Sequence, residues 1–516
     1  MKYKVVILSA GIGSRMGKVT DHINKAILPI NNKAVISHII EKFPKEIEIV
    51  IAVGHKKETI KDYLSIACPE RKITYVEIDK FIGPGTGPGY SLLQCKKHLD
   101  CPFIFSTSDT IVLEEIPEPN ENWFGINPIK ETERYLTVKI KNNLIIQLDD
   151  KIKCDNKYAF IGLAGIKDFE AFFNALEKNK EQKSGEMQVS NGFNSLIEKQ
   201  LIPQPFTWFD TGTEKNYRLT NESFSGGKFD FSKTDEFIYF VNGMVIKYHK
   251  NSEIIKKKVE RAKNLKGLVP EIEKHIGNFF SYEKIEGQVL YDILDRQVVR
   301  DFLYWIKKDL WKKKETSQEF VDACKKFYLD KTKDRLKKFY EKTGVNDTEN
   351  IINGVLVPKL DDLLKKINWN KLCLGIPSTF HGDLQFDNVI VSRKNNLNKF
   401  TLIDWRQEFA GLDFGDLYYD LAKLYGGLNI SYKQIKNNEF KFDMSGNSIY
   451  FNFSIGNDLV DAKEEFEEFI KNNKFDLEKI KMLTALIYLN MSPLHSDPFD
   501  LMIYYFGKLK LYQALK

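Results

Sequence analysis

Residues 5–25 read V-V-I-L-S-A-G-I-G-S-R-M-G-K-V-T-D-H-I-N-K, and this stretch decides the fold of the first half of the chain. Residues 5–8 are an uninterrupted apolar run of strand length, as expected of a central parallel strand buried on both faces. The run stops at a glycine-rich turn. Gly11 and Gly13 there let backbone amides approach a triphosphate, Ser14 lies beside them, and Arg15 and Lys25 are placed to neutralise its charge. No G-K-[ST] follows, so the turn is not a Walker A sequence. Outward from this stretch, strand and helix patterns alternate. Residues 34–43 have helical spacing, 47–53 form a second apolar strand, 57–64 are helical, 73–78 form a third strand, and 103–105 open a fourth that ends at Ser108-Asp109. Such alternation predicts a doubly wound α/β sheet, whose ligands bind at the carboxyl ends of its strands. Gly11, Gly13 and Asp109 all fall at such ends.

The whole chain has 516 residues, more than one ordinary core requires, and two or three domains are expected. Hydrophobic content of 42% and charged content of 29% describe a globular protein. The net charge of +6 arises from 77 basic against 71 acidic residues, a mildly basic surface that suits phosphate-bearing ligands and gives no case for nucleic acid. Six cysteines without C-x-x-C pairs read as reduced thiols, neither a disulfide framework nor a zinc site. The N-terminal order of charge then apolar residues resembles a signal peptide, but the run is too short and passes directly into the glycine turn. No segment approaches the ~20 apolar residues of a membrane span, and the expected location is the cytoplasm. A Ser-, Gly- and charge-rich stretch at 220–235 places the domain boundary near 225, giving domains over 1–225 and 226–516.

The first domain resembles the sugar-1-phosphate nucleotidyltransferase superfamily. Ala10, Gly11, Gly13, Ser14, Arg15 and Lys25 follow that family's A-G-x-G-[ST]-R…K signature, although Asn24 stands where it usually has proline. The G-P-G-T-G-P-G of residues 83–89 is similar to its G-T-A-G-A loop, which implies nucleobase and sugar contacts at Gly85 and Thr86. Ser108-Asp109 replaces its Gly-Asp, and W-F-D-T-G-T at 208–213 nearly repeats its W-x-D-x-G-T, which implies Mg²⁺ on Asp109 and Asp210. F-I-G-L at 160–163 and S-G-E-M-Q-V-S-N at 184–191 resemble the strand and motif that hold the sugar, implying substrate contacts at Gly162 and Glu186. The implied reaction is attack of a substrate phosphate on the α-phosphorus of a nucleoside triphosphate (CTP, UTP, GTP or dTTP), releasing pyrophosphate. Residues 136–149 alternate around Asn142-Asn143, a hairpin to which no chemistry is assigned.

In the second half, residues 381–404 run H-G-D-L-Q-F-D-N-V-I-V, a polar turn, and F-T-L-I-D. Asp383 would accept or orient the proton of an attacking hydroxyl, while Asn388 and Asp404 would hold Mg²⁺ against ATP phosphates. The stretch resembles the core of the aminoglycoside phosphotransferase and choline kinase families, which implies a bilobal, protein-kinase-like α+β domain. Its N-lobe would span about 226–288 and its helical C-lobe about 289–516. Residues 237–248 read as a hairpin around Val241-Asn242-Gly243. By the same resemblance Lys247 pairs with the ATP phosphates, Glu260 clamps Lys247, and the 232–234 turn, with Ser232, stands where kinases have a glycine loop that this chain lacks. Residues 297–366 are expected to be helical, and Asp416 and Asp420 to brace the catalytic loop.

Together the halves predict a bifunctional enzyme. A sugar or small alcohol would be phosphorylated by ATP, and the phosphomonoester then activated as a nucleoside diphosphate derivative for cell-surface polysaccharide. One alternative is a choline or ethanolamine kinase fused to a phosphocholine-type cytidylyltransferase. Another is a nucleotidyltransferase with a non-catalytic kinase-like regulator. Base preference, substrate identity and oligomeric state stay open at this level.

Overall fold

The computed structural model describes residues 2–179, 182–183, 185–225, 235–394, 397–431, 434–435 and 437–516. Its described residues form two compact units. The first comprises 2–225, 235–252 and 274–281, and the second 253–273 and 282–516.

A nine-stranded sheet organises the first unit. Its parallel centre runs Phe103–Thr107, Lys4–Ser9, Glu48–Val53 and Ile73–Glu77, with Lys4 in register with both Phe103 and Glu48. Val5, Val6 and Ile7 are wholly buried, which explains the uninterrupted apolar run. Alternate side chains feed two separate hydrophobic layers. Val5, Ile7, Ile49 and Ile51 face one, and Val6, Val50 and Ala52 face the other. The helix Lys57–Ala67 covers the first layer with Ile60, Tyr63, Leu64 and Ala67, a 3–4–7 spacing that puts all four on one side. The helices Pro88–Cys95, Phe169–Lys178 and Ser190–Ile197 cover the second with Leu92, Phe172, Phe173 and Phe193. The sheet is therefore wound on both faces. Beyond Phe103–Thr107 it continues antiparallel through Tyr158–Ile166 to the hairpin Leu136–Lys141/Leu144–Asp150, turned by Asn142 and Asn143 at φ 51° and 57°.

The hairpin Glu236–Val241/Met244–His249, expected at the head of the second domain, turns at Asn242-Gly243 as anticipated. Its inward face carries Phe237, Tyr239, Val241, Ile246 and Tyr248, which join the first unit's core. Two hydroxyls fix it there: Tyr239 donates to the Ile27 carbonyl and Tyr248 to the His22 carbonyl, each at 2.8 Å.

The second unit is mainly helical. The helix Leu417–Gly427 is buried along its whole length and packs on Leu477–Met491, which packs on Phe499–Ala514. Residues 297–366 are largely helical, with one departure. Asn350–Ile352 and Val355–Val357 form a hairpin around Asn353 and Gly354, at φ 47° and 80°, and Ile351 pairs with Ser448 in a four-stranded sheet. The I-I-N-G-V-L-V pattern there is a two-residue hairpin signal inside a helical neighbourhood. Among the described residues, no helix is long and apolar enough to cross a membrane.

Candidate active sites

In the first unit the site grows from strand ends. The strand Trp208–Asp210 pairs antiparallel with Thr110–Val112, setting Asp210 opposite Thr110, and Thr211 N–H donates to the Asp109 carbonyl at 2.9 Å. This register places the two carboxylates side by side. A Cβ built on Gly212 would meet Asp109 Oδ2 at 2.9 Å, Asp210 Oδ1 at 3.0 Å and Arg15 Nη2 at 3.5 Å, so the absent side chain leaves room for the three to converge. Lys25 Nζ lies 2.6 Å from Asp109 Oδ2. Asp210 accepts from Gly212 N–H at 2.7 Å and from Asn216 Nδ2 at 2.6 Å. Burial works to raise the pKa of Asp109, but the Lys25 ammonium outweighs it and holds the carboxyl below its usual range. Asp210 is pushed up, first by burial and then by the charge of Asp109. Two facing carboxylates, one of them electrostatically frustrated, are the donor set expected where a divalent cation is shared with phosphate oxygens and water. Among the described residues no cluster of three or more metal-type side chains exists, so any ion here would rest on this pair.

The glycine turn surrounds the same strand ends. Gly13 adopts φ 70° at the start of the Ser14–Thr20 3₁₀ helix, leaving Gly11, Ser14 and Arg15 exposed. Asn24 ties the turn down. Its Nδ2 donates to the Ser9 carbonyl at 3.0 Å and the His55 carbonyl at 2.8 Å, and its Oδ1 accepts from Ala26 N–H, so Lys25 starts a short helix from a fixed point. The 83–89 loop docks against the segment carrying Glu186. Gly85 N–H donates to Gly185 O and Met187 N–H to Thr86 O, both at 2.7 Å, and Thr86 bridges Glu186. A Cβ on Gly87 would meet Glu186 Cβ and Met187 O at 2.9 Å, which is why the loop needs glycine there. Glu186 itself is exposed. Gly162, at φ 81°, packs against the Thr107 side chain two residues before Asp109.

In the second unit the candidate residues are gathered by one hairpin. Val389–Lys394 pairs with Leu397–Leu402, Val389 opposite Leu402, so Asn388 before the first strand and Asp404 after the second lie at the same end. Ile403 N–H donates to the Asn388 carbonyl at 2.9 Å, and Asn388 Nδ2 donates to the Asp383 carbonyl at 2.8 Å. Asp404 is held at φ 62°, a left-handed conformation unusual for a non-glycine residue and maintained by its surroundings. Asp420 braces the loop, accepting from His381 and Gly382 N–H at 2.8 Å each and from Trp311 Nε1 at 3.1 Å. Asp416 caps the Leu417–Gly427 helix and accepts from Ile376 N–H and the Tyr328 hydroxyl. His381 is fully buried, with Nε2 at 2.9 Å from the Ile403 carbonyl, and burial lowers its pKa to about 4. The Asp383 carboxylate pairs with Lys423 Nζ at 2.6 Å. Burial would raise the Asp383 pKa, but the ammonium reverses this and holds the group well below the usual carboxylate range. Lys247 is buried on its strand in the first unit, and Glu260 is exposed on the helix Ser252–Asn264, whose described residues from 253 belong to the second. Ser232 lies outside the described residues.

Residues 5–115 match the MobA-like NTP transferase domain. The Bifunctional protein GlmU of Methanococcus vannielii is 30% identical over 207 residues, spanning 38% of this chain and 48% of that protein. The D-glycero-alpha-D-manno-heptose 1-phosphate guanylyltransferase of Campylobacter jejuni is 26% identical over 156 residues, spanning 29% of this chain and 69% of that enzyme. The chain thus spans about half the length of the GlmU proteins it matches. Among solved structures, a UDP-glucose pyrophosphorylase complexed with UDP-glucose aligns over 44% of this chain and 99% of its own, at 18% identity and a TM-score of 0.39.

Three site residues carry roles that the motif reading does not assign. Lys423 sits in D-L-A-K, three residues after Asp420 on one helix face, so a helix whose Asp420 holds the loop must also turn Lys423 toward it. Asn216 and Asn24 act through hydrogen bonds between segments distant in sequence or across a turn, and spacing alone carries no signal for them.

Proposed function

We propose that the protein phosphorylates a small hydroxyl compound with ATP and then couples the phosphomonoester to a nucleotidyl group from a second triphosphate. The observation that carries the transferase reading is the convergence of Asp109, Asp210, Arg15 and Lys25 beside the Gly11–Gly13 turn. Among the relatives named above, the heptose 1-phosphate guanylyltransferase supports a sugar phosphate as the acceptor. An oxygen of the substrate phosphate attacks the α-phosphorus, the bond to the β-phosphate breaks, and pyrophosphate leaves. A phosphate nucleophile needs no strong base, so alignment and charge stabilisation dominate. Arg15 and the glycine-turn amides would bind the triphosphate. Lys25, already fixed by Asn24, offers its ammonium to the charge that develops. Asp109 and Asp210 would hold Mg²⁺, which when bound supplies further positive charge against the phosphates. Gly85 and Thr86 would line the nucleotide, and Gly162 and Glu186 the substrate.

In the second unit the acceptor hydroxyl would attack the γ-phosphorus of ATP, releasing ADP, with its proton directed to Asp383. The Lys423 pair keeps Asp383 ionised at neutral pH, so it is always ready as a hydrogen-bond acceptor but weak as a base. That suits a reaction in which positioning and charge neutralisation do most of the catalysis. Asn388 and Asp404 would hold Mg²⁺ there. The test is a matrix of sugars and small alcohols with ATP, read as ADP release. The corresponding phosphomonoesters are then incubated with each of CTP, UTP, GTP and dTTP, read as pyrophosphate release. One hydroxyl compound and its own phosphomonoester should score in the two arms. Pyrophosphate release with every kinase arm silent would leave only the transferase.

A further inference from the structure

Near Asp383 the second unit gathers Lys423, Lys331 and Arg406, with Arg335 in the field of Arg406. Lys423 is committed to Asp383 at 2.6 Å. Lys331 extends over the ring of Phe327, with Nζ 4.1 Å from its centroid and 5.7 Å from that of Tyr419. Arg406, directly after the Asp404-Trp405 pair, lies on the same Phe327 ring at 4.9 Å. Arg335, one helical turn beyond Lys331 on the helix Lys331–Thr343, feels the charge of Arg406. Among the described residues, neither Lys331, Arg335 nor Arg406 has a carboxylate within ion-pair distance, and Arg406 Nε is buried with no hydrogen-bond partner. Burial and the neighbouring Arg406, Lys423 and Arg335 hold the Lys331 ammonium well below the usual lysine range. Like charges stacked this closely are costly unless something negative completes them, and one carboxylate already paired with Lys423 is not enough. All three remain partly open to solvent, and the Asp383 carboxylate is 40% exposed, so a ligand can reach both.

We infer that Lys331, Arg335 and Arg406 bind an anionic group of the phosphoryl acceptor, so that the kinase substrate is a hydroxyl compound already bearing a phosphate or a carboxylate. The inference rests on the kinase reading of this unit and narrows it. A quaternary or primary amine at this position would face three unpaired cations, whereas an anion would neutralise them while its hydroxyl reaches Asp383. The aromatic rings of Phe327 and Tyr419 are already occupied by Lys331, which leaves them unavailable as a cage for choline.

Two measurements on the full chain test this. The first is residue-specific and needs no turnover: acetylation of lysines by acetic anhydride, read by peptide mass spectrometry, with and without inorganic sulfate. Sulfate should slow modification of Lys331 severalfold, and Arg335→Gln should abolish that protection. Equal labelling of Lys331 with and without sulfate would overturn the anion site. The second is ADP release with a matched set: glycerol, choline, glycerate and glycerol 3-phosphate. Turnover should favour the anionic members by about 10–100-fold, and whether glycerate or glycerol 3-phosphate leads tells carboxylate from phosphate. In Arg335→Gln the KM of the preferred acceptor should rise by a similar factor, with no matching rise for ATP. Preference for choline or glycerol would overturn the inference. Sulfate protection with no ADP release on any acceptor would retain the anion site and defeat the kinase reading instead.

Discussion

Lys25 shows how much one side chain carries. It starts its short helix from the fixed Asn24 and meets Asp109 at 2.6 Å, so removing it takes away a charge aimed at the phosphates and leaves Asp109 unpaired. Lys25→Ala should slow nucleotidyl transfer by about 10²–10³, the usual loss for one preorganised charge, measured as pyrophosphate release. His381 gives a pH signature. Its imidazole is buried and its pKa lies at about 4, against 6.5 when unfolded. A base with a depressed folded pKa adds stability that is fully present above 6.5 and is lost as pH falls toward 4. At pH 5 the loss is about 2 kcal/mol. The Tm difference between the parent and His381→Asn should therefore shrink between pH 8 and pH 5. Asp420, pushed up to about 6 by burial, works in the opposite sense over the same range but is common to both proteins, so the difference isolates the histidine.

At the scale of elements, the strand pair Thr110–Val112/Trp208–Asp210 and the turn after it build the metal-type carboxylate pair. Gly212→Ala would press a methyl against both carboxylates at 2.9–3.0 Å, so we expect transfer activity to fall by more than 10²-fold with the fold retained, read by circular dichroism beside the pyrophosphate assay. These strands also mark where sequence reading succeeds and where it stops. The apolar runs, the N-N and N-G turns and the spaced motifs were legible because each is local: two-residue periodicity, left-handed turn residues, and glycine where a Cβ would collide. The partner of Asp383 was legible only indirectly, through Asp420 three residues before it on the same helix. Lys423 lies 40 positions away, and only the packing of its helix beneath the loop brings it to 2.6 Å. The Asn350–Val357 hairpin was missed for the opposite reason: its Asn-Gly signal is local but sits among strong helical periodicity, and its partner strand starts at Ser448.

Across the whole molecule, Asp109 and Asp210 stand in one unit and Asp383, Asn388 and Asp404 in the other. If the second unit is the kinase proposed above, Asp383→Asn should abolish phosphorylation of the free substrate while transfer to the pre-formed phosphomonoester stays within about twofold, because one carboxyl-to-amide change does not reach the other core. Loss of both activities from a folded variant would refute two independent sites. Independence of chemistry does not extend to the chain. Tyr239 and Tyr248 hold carbonyls beside the glycine turn, and Phe279 enters the same hydrophobic layer as Ile7 and Tyr63, so the first unit draws on residues well past 225. In between, residues 253–273 belong to the other unit. A growing polypeptide therefore emerges with its nine-stranded sheet nearly complete but one side of its core uncovered until residues 274–281 have left the ribosome. At synthesis rates of about 5–20 residues per second, that leaves several seconds in which Ile7's layer is open to chaperones and to misassembly. A gene fragment ending at 225 would make that interval permanent.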